Sequence, residues 1–220
     1  MPKDKLVKFL GLKNNKYLIE SIGSYFLVLA YGLSGDALAV GFMLSALIYI
    51  GALTSGAHYN PAISIGAFFL KKLTGTELVG YITSQIIGAF LAAITVLFLS
   101  SMVFYVEPPL NSAFYSQLGI EGLLTFILTL TALVAWIGNP AHKSVATYSV
   151  VMGFVLVSSV ILGENISGTI LNPAISIGTS IVDFFLGGSS YKDIITYTVG
   201  PLLGACAAVF VYKFVIEDEY

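Results

Sequence analysis

Apolar residues run along this chain in unbroken blocks, not in the alternation of a half-buried strand. A helix that crosses a hydrocarbon core of roughly 30 Å needs about 20 such residues. Six blocks reach that length, at about 17–34, 37–54, 77–104, 118–138, 145–163 and 194–216. Two further apolar stretches, about 61–70 and 173–186, are too short to cross alone and follow polar, glycine-containing loops. The pattern predicts an all-α integral membrane protein with six transmembrane helices plus two re-entrant half-helices. Because the blocks do not alternate, a transmembrane β-barrel does not fit.

Composition sharpens this. Of 220 residues, 57% are apolar or aromatic and only 10% are charged, against roughly 25% charged in a soluble domain. A mean hydropathy of +0.91 excludes a soluble enzyme and a disordered chain. The basic residues do not cluster with aromatics, so no nucleic-acid partner is expected. The single cysteine, Cys206, excludes an internal disulfide and a thiolate metal cage. No metal-ligand spacing, nucleophile–base pair or phosphate loop is present, so neither a cofactor nor an enzymatic activity is expected.

All ten basic residues are lysine. With the N-terminus in the cytoplasm and six crossings, Lys3, Lys5, Lys8, Lys13, Lys16, Lys71, Lys72, Lys143 and Lys213 fall inside and Lys192 outside. That bias fits the positive-inside rule. No small-residue cleavage site follows the first apolar run, so the lysine-rich start reads as a cytoplasmic flank and not as a signal peptide.

An internal repeat organises the chain. Asn60-Pro61-Ala62-Ile63-Ser64-Ile65-Gly66 recurs letter for letter as Asn172-Pro173-Ala174-Ile175-Ser176-Ile177-Gly178. At the same offset Gly41, Gly51, Ser55 and Gly56 match Gly153, Gly163, Ser167 and Gly168, and the opening helices share Glu20/Ser24 and Glu121/Thr125. Residues 1–220 therefore read as one domain of two halves, about 1–110 and 111–220. Each half holds an odd number of spans, so the halves sit in the membrane with opposite topology, the plan of inverted-repeat channels and transporters.

In both halves the repeated Asn precedes Pro, as in a helix cap followed by Pro at the first helical position. Two ten-residue helices of about 15 Å each, entering from opposite faces, would meet near the midplane with their N-termini facing. Each end carries roughly half a positive charge, and the two Asn amides add donors. The loops leading in, Thr54–Tyr59 and Asn165–Leu171, are non-helical backbone at membrane depth, tolerated only when buried in protein or lining a cavity. Carbonyls around Gly56, Ala57, His58, Gly168, Thr169 and Ile170 would then form a ladder of acceptors. Such a path suits a small, polar, uncharged molecule and opposes a cation.

Ser55-Gly56-Ala57-His58-Tyr59-Asn60-Pro61-Ala62, the second Asn172-Pro173-Ala174, Glu20, Glu121, Gln85 and Gly200-Pro201-Leu202-Leu203-Gly204 together resemble the aquaporin (major intrinsic protein) family over essentially the whole chain. A third Asn-Pro-Ala, at Asn139-Pro140-Ala141, lies in a loop with no short helix after it and reads as accidental. The resemblance implies a passive channel for water or small uncharged solutes of glycerol, urea or metalloid size. It also implies a homotetramer with one pore per subunit, in the plasma (cell) membrane with both termini cytoplasmic. Glu20 and Glu121 become buried carboxylates that anchor the two re-entrant loops.

The chain departs from the family at the outer constriction. The residue after the second Asn-Pro-Ala, an arginine in most members, is Ile175; the other three positions fall on Val40, Val160 and Thr169. This aliphatic ring matches neither the water-selective nor the glycerol-selective pattern. A narrow ring would strip water of partners, whereas a wide one would pass larger solutes, and the sequence does not give the aperture. His58 is a candidate vestibule or gating residue, and Glu164 a candidate mouth residue that attracts cations or binds loop amides. His142 and the Glu217-Asp218-Glu219 tail read as solvated. Two other classes stay open: an ion- or proton-coupled transporter using Glu20 and Glu121, and a structural membrane protein with a closed pore.

Overall fold

The computed structural model describes residues 15–138 and 144–216. Lys3, Lys5, Lys8, Lys13, Asn139-Pro140-Ala141, His142, Lys143 and Glu217-Asp218-Glu219 lie outside the described residues. The described chain forms helices α1 (Asn15–Leu33), α2 (Ala37–Ser55), α3 (Pro61–Phe69), α4 (Gly75–Ser100), α5 (Phe114–Ala132), α6 (Val145–Ser167), α7 (Pro173–Phe185) and α8 (Ile194–Val211). Wider π-helical turns extend α5 over Leu133–Ile137 and α8 over Tyr212–Ile216, and a 3₁₀ turn, Ser190–Asp193, leads into α8.

Local chemistry sets the ends. Asp36 Oδ1 accepts from Ala39 N and starts α2, and Ser144 Oγ accepts from Thr147 N and starts α6. Thr74 and Glu77 form a reciprocal capping box on α4. Helices α2 and α6 both end on a left-handed glycine, Gly56 (φ 85°) and Gly168 (φ 80°), where a side chain would be strained. Both helices run further than their apolar blocks suggest, to Ser55 and Ser167. The expected loops at 54–59 and 165–171 therefore shrink to 56–59 and 168–171.

Five of the helices are long and apolar enough to cross a membrane: Ala37–Ser55, Gly75–Ser100, Phe114–Ile137, Val145–Ser167 and Ser190–Ile216. Helix α1 is as long as α2 but more polar, because it carries Lys16, Glu20, Ser21 and Ser24. It completes the set of six by turning Glu20 and Ser24 inward. Leu53, Phe98, Leu123, Leu162 and Phe210 stand exposed on the outside of the bundle, the faces that lipid would cover. Helix α1 packs on α4, α5 on α8, and α2 on α6. All three seams are glycine-tight: a Cβ on Gly88 would lie 2.2 Å from the Ser21 carbonyl oxygen, one on Gly204 2.2 Å from that of Gly122, and one on Gly41 2.7 Å from that of Gly153. Small residues let membrane helices approach this closely.

The short helices α3 and α7 tie the halves together. Helix α3 packs against both α4 and α8, and α7 likewise against α4 and α8. Each is thus held by the closing helices of both halves, which fixes where their N-termini meet.

Candidate pore

The two loops that feed α3 and α7 share an unusual backbone. Ala57 (φ 53°), Tyr59 (φ 50°), Thr169 (φ 46°) and Leu171 (φ 56°) all occupy the left-handed region. Residues with a Cβ pay on the order of 1–3 kcal/mol each for such conformations, so the surroundings must over-determine them. Glu20 and Glu121 do this. The Glu20 carboxylate accepts from Ser55 Oγ (2.6 Å), His58 N (2.9 Å), Tyr59 N (2.6 Å) and Gln85 Nε2 (2.7 Å). Glu121 accepts from Ser167 Oγ (2.6 Å), Ile170 N (3.1 Å) and Leu171 N (2.7 Å). Both carboxylates are fully buried. The halves differ at one partner, because Pro201 stands where the shifted repeat aligns with Gln85 and brings no amide.

Further donors clamp the loop carbonyls. Tyr81 Oη donates to Ser55 O at 2.6 Å, and Tyr197 Oη donates to Ser167 O at the equivalent place in the second half. The asparagines then close the joint. Asn60 Oδ1 accepts from Ala62 N (2.9 Å) and Asn172 Oδ1 from Ala174 N (3.0 Å), capping α3 and α7. Each amide reaches into the opposite half: Asn60 Nδ2 donates to Leu171 O at 2.8 Å, and Asn172 Nδ2 to Tyr59 O at 2.9 Å. An amide nitrogen carries two hydrogens, so this leaves each asparagine a second N–H.

Both asparagines border a narrow central cavity of about 20 Å³, room for roughly one water. Its lining follows the repeat: Leu27 with Leu128, Leu44 with Leu156, His58 with Ile170, and Ile63 with Ile175. Two lining residues break that symmetry: Tyr59, whose counterpart Leu171 does not border the cavity, and Tyr31, whose repeat counterpart is Ala132. At one end the cavity shares His58 with a vestibule of about 330 Å³ bordered by Lys16, Lys72, Glu77 and Trp136. At the other it shares Tyr31 and Ile170 with a vestibule of about 400 Å³ bordered by Glu107, Val160, Glu164 and Gly168. The molecule thus holds two wide mouths joined by a narrow, largely aliphatic waist.

The residues singled out from sequence fall into three groups. Asn60, Asn172, His58, Ile170 and Ile175 border the waist. Gly56, Gly168, Val160 and Glu164 border one vestibule or the other. Val40, Ala57 and Thr169 are packed inside protein, as are Pro61, Ala62, Pro173 and Ala174 at the half-helix starts. The Thr169 hydroxyl is turned toward α6, where a Cβ on Gly163 would meet it at 2.2 Å. Of the four positions aligned with the outer constriction, two border the path, Val160 on the vestibule and Ile175 on the waist. His58 Nδ1 lies 3.1 Å from Ser64 Oγ, so its ring is held as well as its backbone. No cluster of three or more His, Cys, Asp or Glu side chains suited to a metal ion occurs among the described residues.

Tyr31 was not singled out from sequence. A signal for it exists: it lies eleven residues after Glu20, three helical turns along the stripe Glu20, Ser24, Leu27, Tyr31. Only the three-dimensional path shows that this stripe ends at the neck of a mouth.

An α-helical bundle whose two capped half-helices meet end to end beside a waist between two vestibules is the architecture of an inverted-repeat membrane channel. The family model described as Major intrinsic protein matches residues 10–212, and the chain belongs to that family. It is 30% identical over 210 residues to the glycerol uptake facilitator protein-like 6 of Lactiplantibacillus plantarum, covering 89% of this chain and 95% of that protein. It is 29% identical over 191 residues to aquaporin AqpM of Methanothermobacter marburgensis, covering 82% and 76%. The X-ray structure of the aquaglyceroporin from Plasmodium falciparum is similar in fold, with a TM-score of 0.80 and 26% identity over 92% of this chain and 96% of that one.

Proposed function

We propose that the chain is a passive channel for water and small uncharged solutes, with the path running from one vestibule through the waist to the other. The observation that carries this is the meeting of two capped helix N-termini, with both Asn60 and Asn172 bordering the waist. Facing positive helix ends oppose a cation, while each amide's second N–H offers a passing oxygen a partner. A waist of about 20 Å³ favours the water end of the solute range; glycerol- or urea-sized molecules require side chains there to swing aside. The aliphatic residues Ile175 and Val160 near the wider mouth act by width and dryness, where most family members place an arginine.

A proton-coupled transporter needs ionisable groups on the path. Glu20 and Glu121 instead face the loops, with three or four donors on each carboxylate, and neither borders the waist. The same reading places four such chains in a homotetramer in the plasma membrane, each with its own pore, the Lys16/Lys72 mouth cytoplasmic and the two halves dividing near residue 110. The test is stopped-flow light scattering on proteoliposomes under water, urea, glycerol and ammonia gradients. Flux above that of empty vesicles, without saturation or dependence on a proton gradient, is expected; its absence for every solute points to a closed-pore structural protein.

A further inference from the structure

We propose that Tyr31 is a specificity-determining residue of this channel, its phenol hydroxyl serving as the polar side-chain contact for permeants in the neck between waist and acidic vestibule. The proposal deepens the reading of the chain as a channel for water and small uncharged solutes and rests on it. Tyr31 borders both the waist and the 400 Å³ vestibule, so its side chain stands at the junction. Aliphatic neighbours line both cavities beside it, Ile170 on both, Ile175 on the waist and Val160 on the vestibule, while the polar side chains are Asn60, Asn172 and His58 on the waist and Glu107 and Glu164 on the vestibule. Its hydroxyl is buried and has no hydrogen-bond partner among the described residues. A buried phenol ordinarily finds a partner, and an unsatisfied one is costly. Other unpartnered buried hydroxyls occur at Thr125, Thr129, Thr169, Ser176 and Thr198, and none of these borders the waist or either vestibule.

The hydroxyl donates one bond and accepts others, so it serves water, and equally the O–H or N–H groups of a small neutral solute. The ring contributes bulk. Its repeat counterpart on α5 is Ala132, so this position carries an aromatic ring in the first half and only a methyl in the second. Near the other mouth the corresponding polar group is the imidazole of His58. Selection by size and by hydrogen bonding therefore falls on one residue of α1 at the end of the path where Ile175 offers no donor.

The experiment uses the full chain in proteoliposomes, with wild type, Tyr31→Phe and Tyr31→Ala compared for water, urea and glycerol permeability and for thermal stability in detergent. Removing one hydrogen bond from single-file water is expected to lower water permeability of Tyr31→Phe about two- to tenfold, with melting unchanged because no protein group loses a partner. Tyr31→Ala is expected to raise the urea-to-water and glycerol-to-water ratios. Water permeability of Tyr31→Phe equal to wild type overturns the proposal, as do unchanged solute ratios in Tyr31→Ala. A Tyr31→Phe protein that fails to assemble also overturns it, since the hydroxyl would then be holding the fold. Wild-type vesicles no more permeable than empty ones would instead sink the channel reading itself, and this proposal with it.

Discussion

Asn60 and Asn172 each do two jobs with one side chain, which is why their chemistry is narrowly constrained. Oδ1 caps a helix and Nδ2 grips the opposite loop. Aspartate keeps the cap but loses the donor, and its charge offsets the roughly half-positive helix end beside it. Asn60→Asp or Asn172→Asp is expected to admit cations and to lower stability by about 1–3 kcal/mol, because the Leu171 or Tyr59 carbonyl is left facing a carboxylate. Currents across a planar bilayer at matched protein density check this; assembled mutant with wild-type conductance would count against a barrier at the waist. Ile175→Arg tests the neighbouring position. Five donors and a fixed charge would enter the aliphatic waist, so the glycerol-to-water permeability ratio and any cation leak are expected to fall. A ratio that does not fall would place residue 175 away from the selective step. At this scale sequence was generous with the duplicated Asn-Pro-Ala and sparing elsewhere. Thr169 aligns with a constriction position, yet its left-handed φ of 46° accompanies a hydroxyl turned toward α6. Alignment alone does not specify that rotation, and it is equally silent on Tyr31.

Among the elements, the re-entrant loops illustrate how a strained backbone is held in place. Left-handed backbone at Gly56, Ala57 and Tyr59, and again at Gly168, Thr169 and Leu171, accompanies successive N–H groups that point into one carboxylate, and each carboxylate is delivered by the first helix of its own half. Glutamine is nearly isosteric, yet it replaces an acceptor oxygen by an NH₂ that must face a backbone N–H. Glu20→Gln and Glu121→Gln are each expected to lower stability by roughly 1–3 kcal/mol. The loss should be larger for Glu20, which receives four donors where Glu121 receives three. Thermal unfolding in detergent gives the order. A mutant that melts like wild type but loses a pH-dependent flux would favour a coupled transporter. Element lengths were legible because hydropathy records what lipid must touch. The ends were less so: α2 and α6 extend to Ser55 and Ser167 because the glycines after them can turn left-handed, a steric matter that an apolar run does not report. Helix α1 is the converse case, a span diluted in hydropathy because it carries the carboxylate that its half requires.

Over the whole molecule, the two mouths differ in charge although the waist between them is nearly symmetric. Lys16 and Lys72 border one vestibule, with Lys16 paired to Glu77, and Lys213 donates to the Phe69 carbonyl at the far end of α3. Glu107 and Glu164 border the other. Lys192 lies in the turn before α8 and Lys213 follows that helix, about 30 Å further at 1.5 Å per residue, so these two lysines lie at opposite ends of the bundle. A positive-inside orientation would put the Lys72 mouth in the cytoplasm and the Tyr31 neck outside. Cys206 is the chain's one cysteine, which makes the test clean. In a Cys206→Ser background, Lys192→Cys is expected to react with a membrane-impermeant maleimide on intact cells, and Lys72→Cys only after permeabilisation. A waist of about 20 Å³ excludes the reagent from the path, so leakage through the pore cannot mimic the result. The reverse labelling pattern would invert the orientation. It would leave the path intact but make the tyrosine neck the inner end, where it meets solutes leaving rather than entering the cell.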